Sequence, residues 1–103
     1  MLDLNYLCKM SYENAKKRAE HEPTIRIDVR NTLKHCAGEV VESAEAYNSM
    51  VDGVANKEIF ADELSDIICC VLTICGQENI DIEFALTKCM EKNFKRGHKN
   101  ETC

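Results

Sequence analysis

Three observations predict an all-α chain. Breakers are scarce, with one Pro and four Gly in 103 residues. Good helix formers such as Glu, Lys, Ala and Leu recur throughout. Apolar residues return every three or four positions over long stretches, which is the spacing of one helix face. No stretch has the two-residue alternation of a half-buried strand. This length makes one domain rather than two.

Four helices are expected. The first runs from about Leu2 to Glu20, with Leu4, Leu7 and Ala15 on its apolar side. Pro23, which cannot continue a helix, separates it from the second. The second runs from about Ile25 to Met50, where Val29, Leu33, Ala37, Val40, Ala44 and Tyr47 recur at helical spacing. Asp52-Gly53 is a strong turn signal and closes it. The third runs from about Lys57 to Cys75. Phe60, Leu64, Ile67, Val71 and Ile74 form its stripe, and Ile68, Leu72 and Cys75 widen it, so this helix is expected to be the most buried. Gly76 is its predicted stop. Asp81 is the predicted N-cap of a fourth helix from about Ile82 to Arg96. Residues 1–98 form the domain, and 99–103 read as a polar tail.

Charge narrows the partners. The net charge of −5 argues against general binding to nucleic acid or to an anionic membrane. Bases are uneven: Lys88, Lys92, Lys95, Arg96, His98 and Lys99 crowd the C-terminal end, and Lys16, Lys17 and Arg18 form a second group. Either group is read as a solvated helix face or as a contact for phosphate oxygens. No apolar run is long enough to span a bilayer.

The seven cysteines do not make a disulfide framework. Their number is odd, nothing resembles a secretory signal, and no Cys-x-x-Cys pair offers a zinc site. Cys69, Cys70 and Cys75 lie within an apolar run, where Cys packs as a small hydrophobe. Reduced thiols imply a cytoplasmic protein. His21, His35 and His98 are read as non-functional. None completes the Glu-x-x-His pattern of a di-iron bundle, which ranks last among the readings.

Two acidic pairs carry most of the chemical information: Glu39-Val40-Val41-Glu42 and Glu63-Leu64-Ser65-Asp66. Three-residue spacing places both acids of a pair on one side of a helix, about one turn apart. On a helical wheel Glu63 and Asp66 flank the apolar stripe. Glu39 flanks the stripe of the second helix, and Glu42 turns further away. Two such helices face to face would gather four carboxylates, which repel unless a cation sits among them. An all-oxygen site suits a hard divalent ion such as Mg²⁺.

The order of the pairs resembles the MazG-like all-α nucleotide pyrophosphohydrolases. The string Glu39-Val-Val-Glu-Ser-Ala-Glu-Ala46 is similar to that family's first acidic helix, and Glu63-Leu-Ser-Asp-Ile-Ile68 to its second. Asn79-Ile-Asp-Ile-Glu-Phe-Ala-Leu86 resembles the link into its last helix, and Met90-Glu-Lys-Asn-Phe-Lys-Arg96 its closing motif. The resemblance covers about residues 33–98. It implies a four-helix protomer that completes a helical bundle as a dimer or tetramer. It also implies that Glu39, Glu42, Glu63 and Asp66 ligate Mg²⁺ as the catalytic centre. Asn93 and Arg96, with Lys92, Lys95 and Lys16, would contact the phosphates or sugar, and Glu45 would support the ligands. The implied reaction splits a nucleoside triphosphate into monophosphate and pyrophosphate. Cys89 departs from the pattern, standing where the family has a lysine four residues before Asn93. The alternative function is a non-catalytic helical interaction module of the same fold.

Overall fold

The structure is a computed structural model that describes residues 2–22, 24 and 26–98. It is all-helical: α1 is Leu4–His21, α2 Val29–Val51, α3 Lys57–Gln77 and α4 Ile82–His98. The predicted tail at 99–103 and the predicted separator Pro23 lie outside the described residues, as does Ile25.

Each helix opens on an Asx residue whose side chain accepts from a backbone N–H three residues on, the usual relief of an orphan donor. Asp3 accepts from Tyr6 at 3.1 Å, Asp28 from Asn31 at 2.8 Å, Asn56 from Ile59 at 3.0 Å and Asp81 from Phe84 at 3.1 Å. The Asp28 cap starts α2 four residues later than its periodicity suggests. Hydrogen bonds from Asn5 and from the Phe84 amide hold the Asp81 carboxyl below its ordinary range.

Two predicted stops fare differently. Asp52 caps α2, and Gly53 takes the positive φ of 77° that the turn requires. Gly76 does not end α3, which continues through Gln77. The left-handed residue is Asn79, φ 54°, and the Ile80 N–H bonds the Cys75 carbonyl at 2.9 Å as in a Schellman closure.

Gly76 instead permits a close helix crossing. A Cβ there would collide with the Cys8 carbonyl oxygen and lie 2.9 Å from Tyr12 Cβ. Around that contact Cys8, Leu72 and Cys75 form the buried core, with Leu7 and Ile82 packed on it. Burial pushes the Cys8 thiol up, with Cys75 next to it.

The third helix is the hub, packing against α1 on one side and α2 on the other. The α2–α3 pair runs antiparallel. Gln77 Nε2 donates to the Ile27 carbonyl at 3.2 Å at one end, and the Tyr47 and Phe60 rings meet at 5.4 Å at the other. The fourth helix joins chiefly through α1. There Asn5 donates to Asp81 at 3.0 Å and accepts from the Ile82 amide at 3.1 Å.

Helix α3 holds Cys70, Leu72 and Cys75, the largest share of the buried residues. Its predicted stripe, however, is only partly covered. Leu64, Ile68 and Val71 are exposed, as are Leu33, Val40, Val41 and Tyr47 on α2. No described residue of α4 is buried, and Phe84, Met90 and Phe94 stand open. The radius of gyration, 16.9 Å, exceeds the roughly 13 Å expected of a compact chain this long.

Two glycines should respond with opposite signs. Gly76→Ala forces α1 and α3 apart and is expected to cost about 2–4 kcal/mol. Gly38→Ala meets nothing within 4 Å and should gain up to about 1 kcal/mol from helix propensity. Urea unfolding followed by helical circular dichroism measures both.

Candidate metal centre

The antiparallel register sets the first turns of α3 against the middle of α2. One carboxylate oxygen from each of Glu39, Glu63 and Asp66 falls within 4.8 Å of the others. Glu42 stands near enough to both Glu39 and Glu63 to raise their carboxyls. All four predicted acids therefore meet, three of them in the tighter group.

Their environments match the helical wheel for Glu39, Glu42 and Glu63 but not for Asp66, which shares the flank of Glu63 on the wheel yet is exposed. Glu39 is buried, at 8 % exposure, and Glu63 is half-buried, whereas Glu42 and Asp66 face solvent. Ser43, one turn beyond Glu39, is buried too. Its hydroxyl returns to the Glu39 carbonyl at 2.9 Å, so it needs no partner from α3.

Glu39 Oε1 lies 3.0 Å from His35 Nε2, but Glu39 Oε2 and Glu63 Oε2 are buried without a partner. Buried acceptors are normally satisfied, so two orphaned carboxylate oxygens in one cluster mark a place for a donor or a cation. Burial pushes the Glu39 carboxyl above its ordinary 4.5, reinforced by Glu42 and opposed by His35. Burial also raises Glu63, helped by Glu42 and Asp66. A hard cation among these oxygens removes both costs.

The neighbouring sulfur does not change that chemistry. Cys70 is buried on α3 beside the cluster. Its thiol is pushed up to about 11, by burial first and then by Cys36, Glu39 and Asp66. It stays protonated at neutral pH, neither thiolate ligand nor nucleophile.

The predicted phosphate contacts are not brought together with the acids in the single chain. Lys92, Lys95 and Arg96 share one surface patch of α4, with Lys88 and Glu91. Asn93 donates to Cys89 Sγ at 3.7 Å, along its own helix. Lys16 pairs with Glu13 at 2.8 Å and lies over the Tyr12 ring. None of the five lines the cleft beside the cluster.

That cleft, about 730 Å³, is lined by Arg18, Arg26, Lys34 and His35 together with Glu39 and Asp66. The sequence places Arg18 in a basic group and His35 among the histidines read as non-functional, and singles out neither Arg26 nor Lys34. His35 was legible, since it sits one turn before Glu39 on the same helix face. Arg26 was not, because it lies between helices where periodicity says nothing.

Comparison with protein-family models, curated proteins and solved structures finds no match for this chain.

The raised Glu39 and Glu63 values fix a sign. Just above pH 4.5 the folded chain holds more protons at these sites than the unfolded chain does. Their contribution to stability therefore falls as pH rises through their folded values. In EDTA, Glu39→Gln should lose less melting temperature than the wild type as pH rises from about 4.5 to 7. Melting curves across that range check this, and equal pH slopes would contradict it.

Proposed function

We propose that the chain is a Mg²⁺-dependent nucleoside triphosphate pyrophosphohydrolase of the MazG-like kind, yielding a monophosphate and pyrophosphate. One observation carries this reading: the converging carboxylates of Glu39, Glu63 and Asp66, two of which keep a buried oxygen unpartnered. The order of the acidic pairs and the closing motif at 90–96 add the nucleotide class by resemblance.

In this reading Glu39, Glu42, Glu63 and Asp66 hold the metal. Bound there, Mg²⁺ neutralises phosphate charge and makes a coordinated water more acidic. The protein supplies the rest. His35 orients the Glu39 carboxylate. The second oxygens of Glu39 and Glu63 stay desolvated and aimed inward. An acid not taken up by the metal serves as general base toward water.

The residues on α4 belong to the assembled protein in this proposal. The chain exposes 8176 Å², against about 5,900 Å² expected for a folded monomer of this mass. The surplus, roughly 2,300 Å², is well above the roughly 800 Å² that each partner contributes to a standard protein interface. A homo-oligomer covering the open faces of α2, α3 and α4 would bring Asn93, Arg96, Lys92 and Lys95 of one copy toward the acids of another. Those same open faces favour the second reading, a helical interaction module. Light scattering should report a dimer or larger rather than 11.7 kDa.

The reaction is tested by pyrophosphate release from a panel of ribo- and deoxynucleoside triphosphates. Pyrophosphate and monophosphate are expected with Mg²⁺ and neither with EDTA. Glu63→Gln and Asp66→Asn should each lower kcat by about 100-fold or more while leaving the helical signal intact. Orthophosphate as the product would overturn the proposed bond. Silence across the panel, with no Mg²⁺-induced rise in melting temperature, would favour the interaction module.

A further inference from the structure

The cleft beside the acid cluster has an unusual lining for a chain in which 18 acids outnumber 13 bases. Three cations reach it from three separate segments: Arg18 near the end of α1, Arg26 in the connection to α2, and Lys34 in α2. None forms an ion pair with a described residue. Among the described residues no Phe, Tyr or Trp lines the cleft, and His35 is its one aromatic ring. Its volume, about 730 Å³, is that of a small-molecule site rather than a single-ion site.

Unpaired cations gathered in a concave surface raise the local positive potential and concentrate anions there. One phosphate would occupy only part of this lining. A chain of linked phosphates carries a charge for each cation, and it can run on to the metal held by Glu39 and Asp66 at the same cleft. Arg presents a planar fork that suits phosphate oxygens, and Lys a mobile point charge.

We propose that this cleft is a polyphosphate subsite in which Arg18, Arg26 and Lys34 hold the phosphate chain. The inference takes its orientation from the metal-centre reading. It places anion binding on α1, α2 and their connection, within a single chain, in addition to any contact from α4.

The test is calorimetric binding of inorganic tripolyphosphate, in excess Mg²⁺ and separately in EDTA. The cleft variant is Arg18→Gln/Arg26→Gln/Lys34→Gln. Its control, Lys9→Gln/Arg30→Gln/Lys57→Gln, removes the same charge from residues that do not line the cleft. The cleft variant should bind about tenfold more weakly or worse. The control should stay within about twofold of wild type. Lys34→Gln alone serves if the triple variant melts early. Equal losses in the two variants, or no binding by the wild type, would overturn the subsite. Failure of the metal reading shows separately. Mg²⁺ would then not raise the melting temperature, while cleft-dependent binding in EDTA would still uphold the subsite.

Discussion

Packing carboxylates into the contact between two helices is the constraint on which this structure turns. Where the second and third helices pack together, the small side chains of Ser43 on one and Cys70 on the other are buried. That packing takes Glu39 out of water and leaves one of its oxygens without a donor. A buried, crowded carboxylate is costly without a cation. The chain tolerates it because Glu42 and Asp66 remain solvated and His35 offers one hydrogen bond. The centre of the molecule is thus held under electrostatic load, and a divalent ion would relieve it.

Packing elsewhere keeps that load in register. Helix α3 is clamped on both sides. Its C-terminal end meets α1 at the Gly76–Cys8 crossing, and Gln77 ties it to the chain just before α2. Residue size decides these contacts more than hydrophobicity does: Cys8, Ala15, Cys70 and Cys75 supply most of the buried core. Small residues bring backbones close and fix helix positions sharply, but each buries little apolar area. The single chain is therefore well defined at the site and thinly stabilised around it.

The open surface follows from the same arithmetic. Apolar stripes on α2, α3 and α4 outnumber the faces three packed helices can cover. The fourth helix touches the core through Ile82, beside its polar junction with Asn5, and none of its described residues is fully buried. In the proposed homo-oligomer a second copy would cover these faces.

Much of this was determined by the sequence itself. The all-α class, the four helices, the Asp52-Gly53 turn, the Asp81 cap and the placing of each acidic pair on one side of its helix all follow from local spacing. Helix geometry converts residue number directly into direction, so these features need no knowledge of partners. The burial of Glu39 and the exposure of Glu42 were legible for the same reason. Only the tertiary structure decided the rest. It gave Gly76 to a helix crossing instead of a helix end, because a glycine permits a turn and a close approach equally well. It left the apolar stripe of α3 partly open, because a stripe records that a surface wants covering and not what covers it. It set Arg18, Arg26 and Lys34 around one cleft, because residues on two helices and the link between them become neighbours only when the chain folds back on itself.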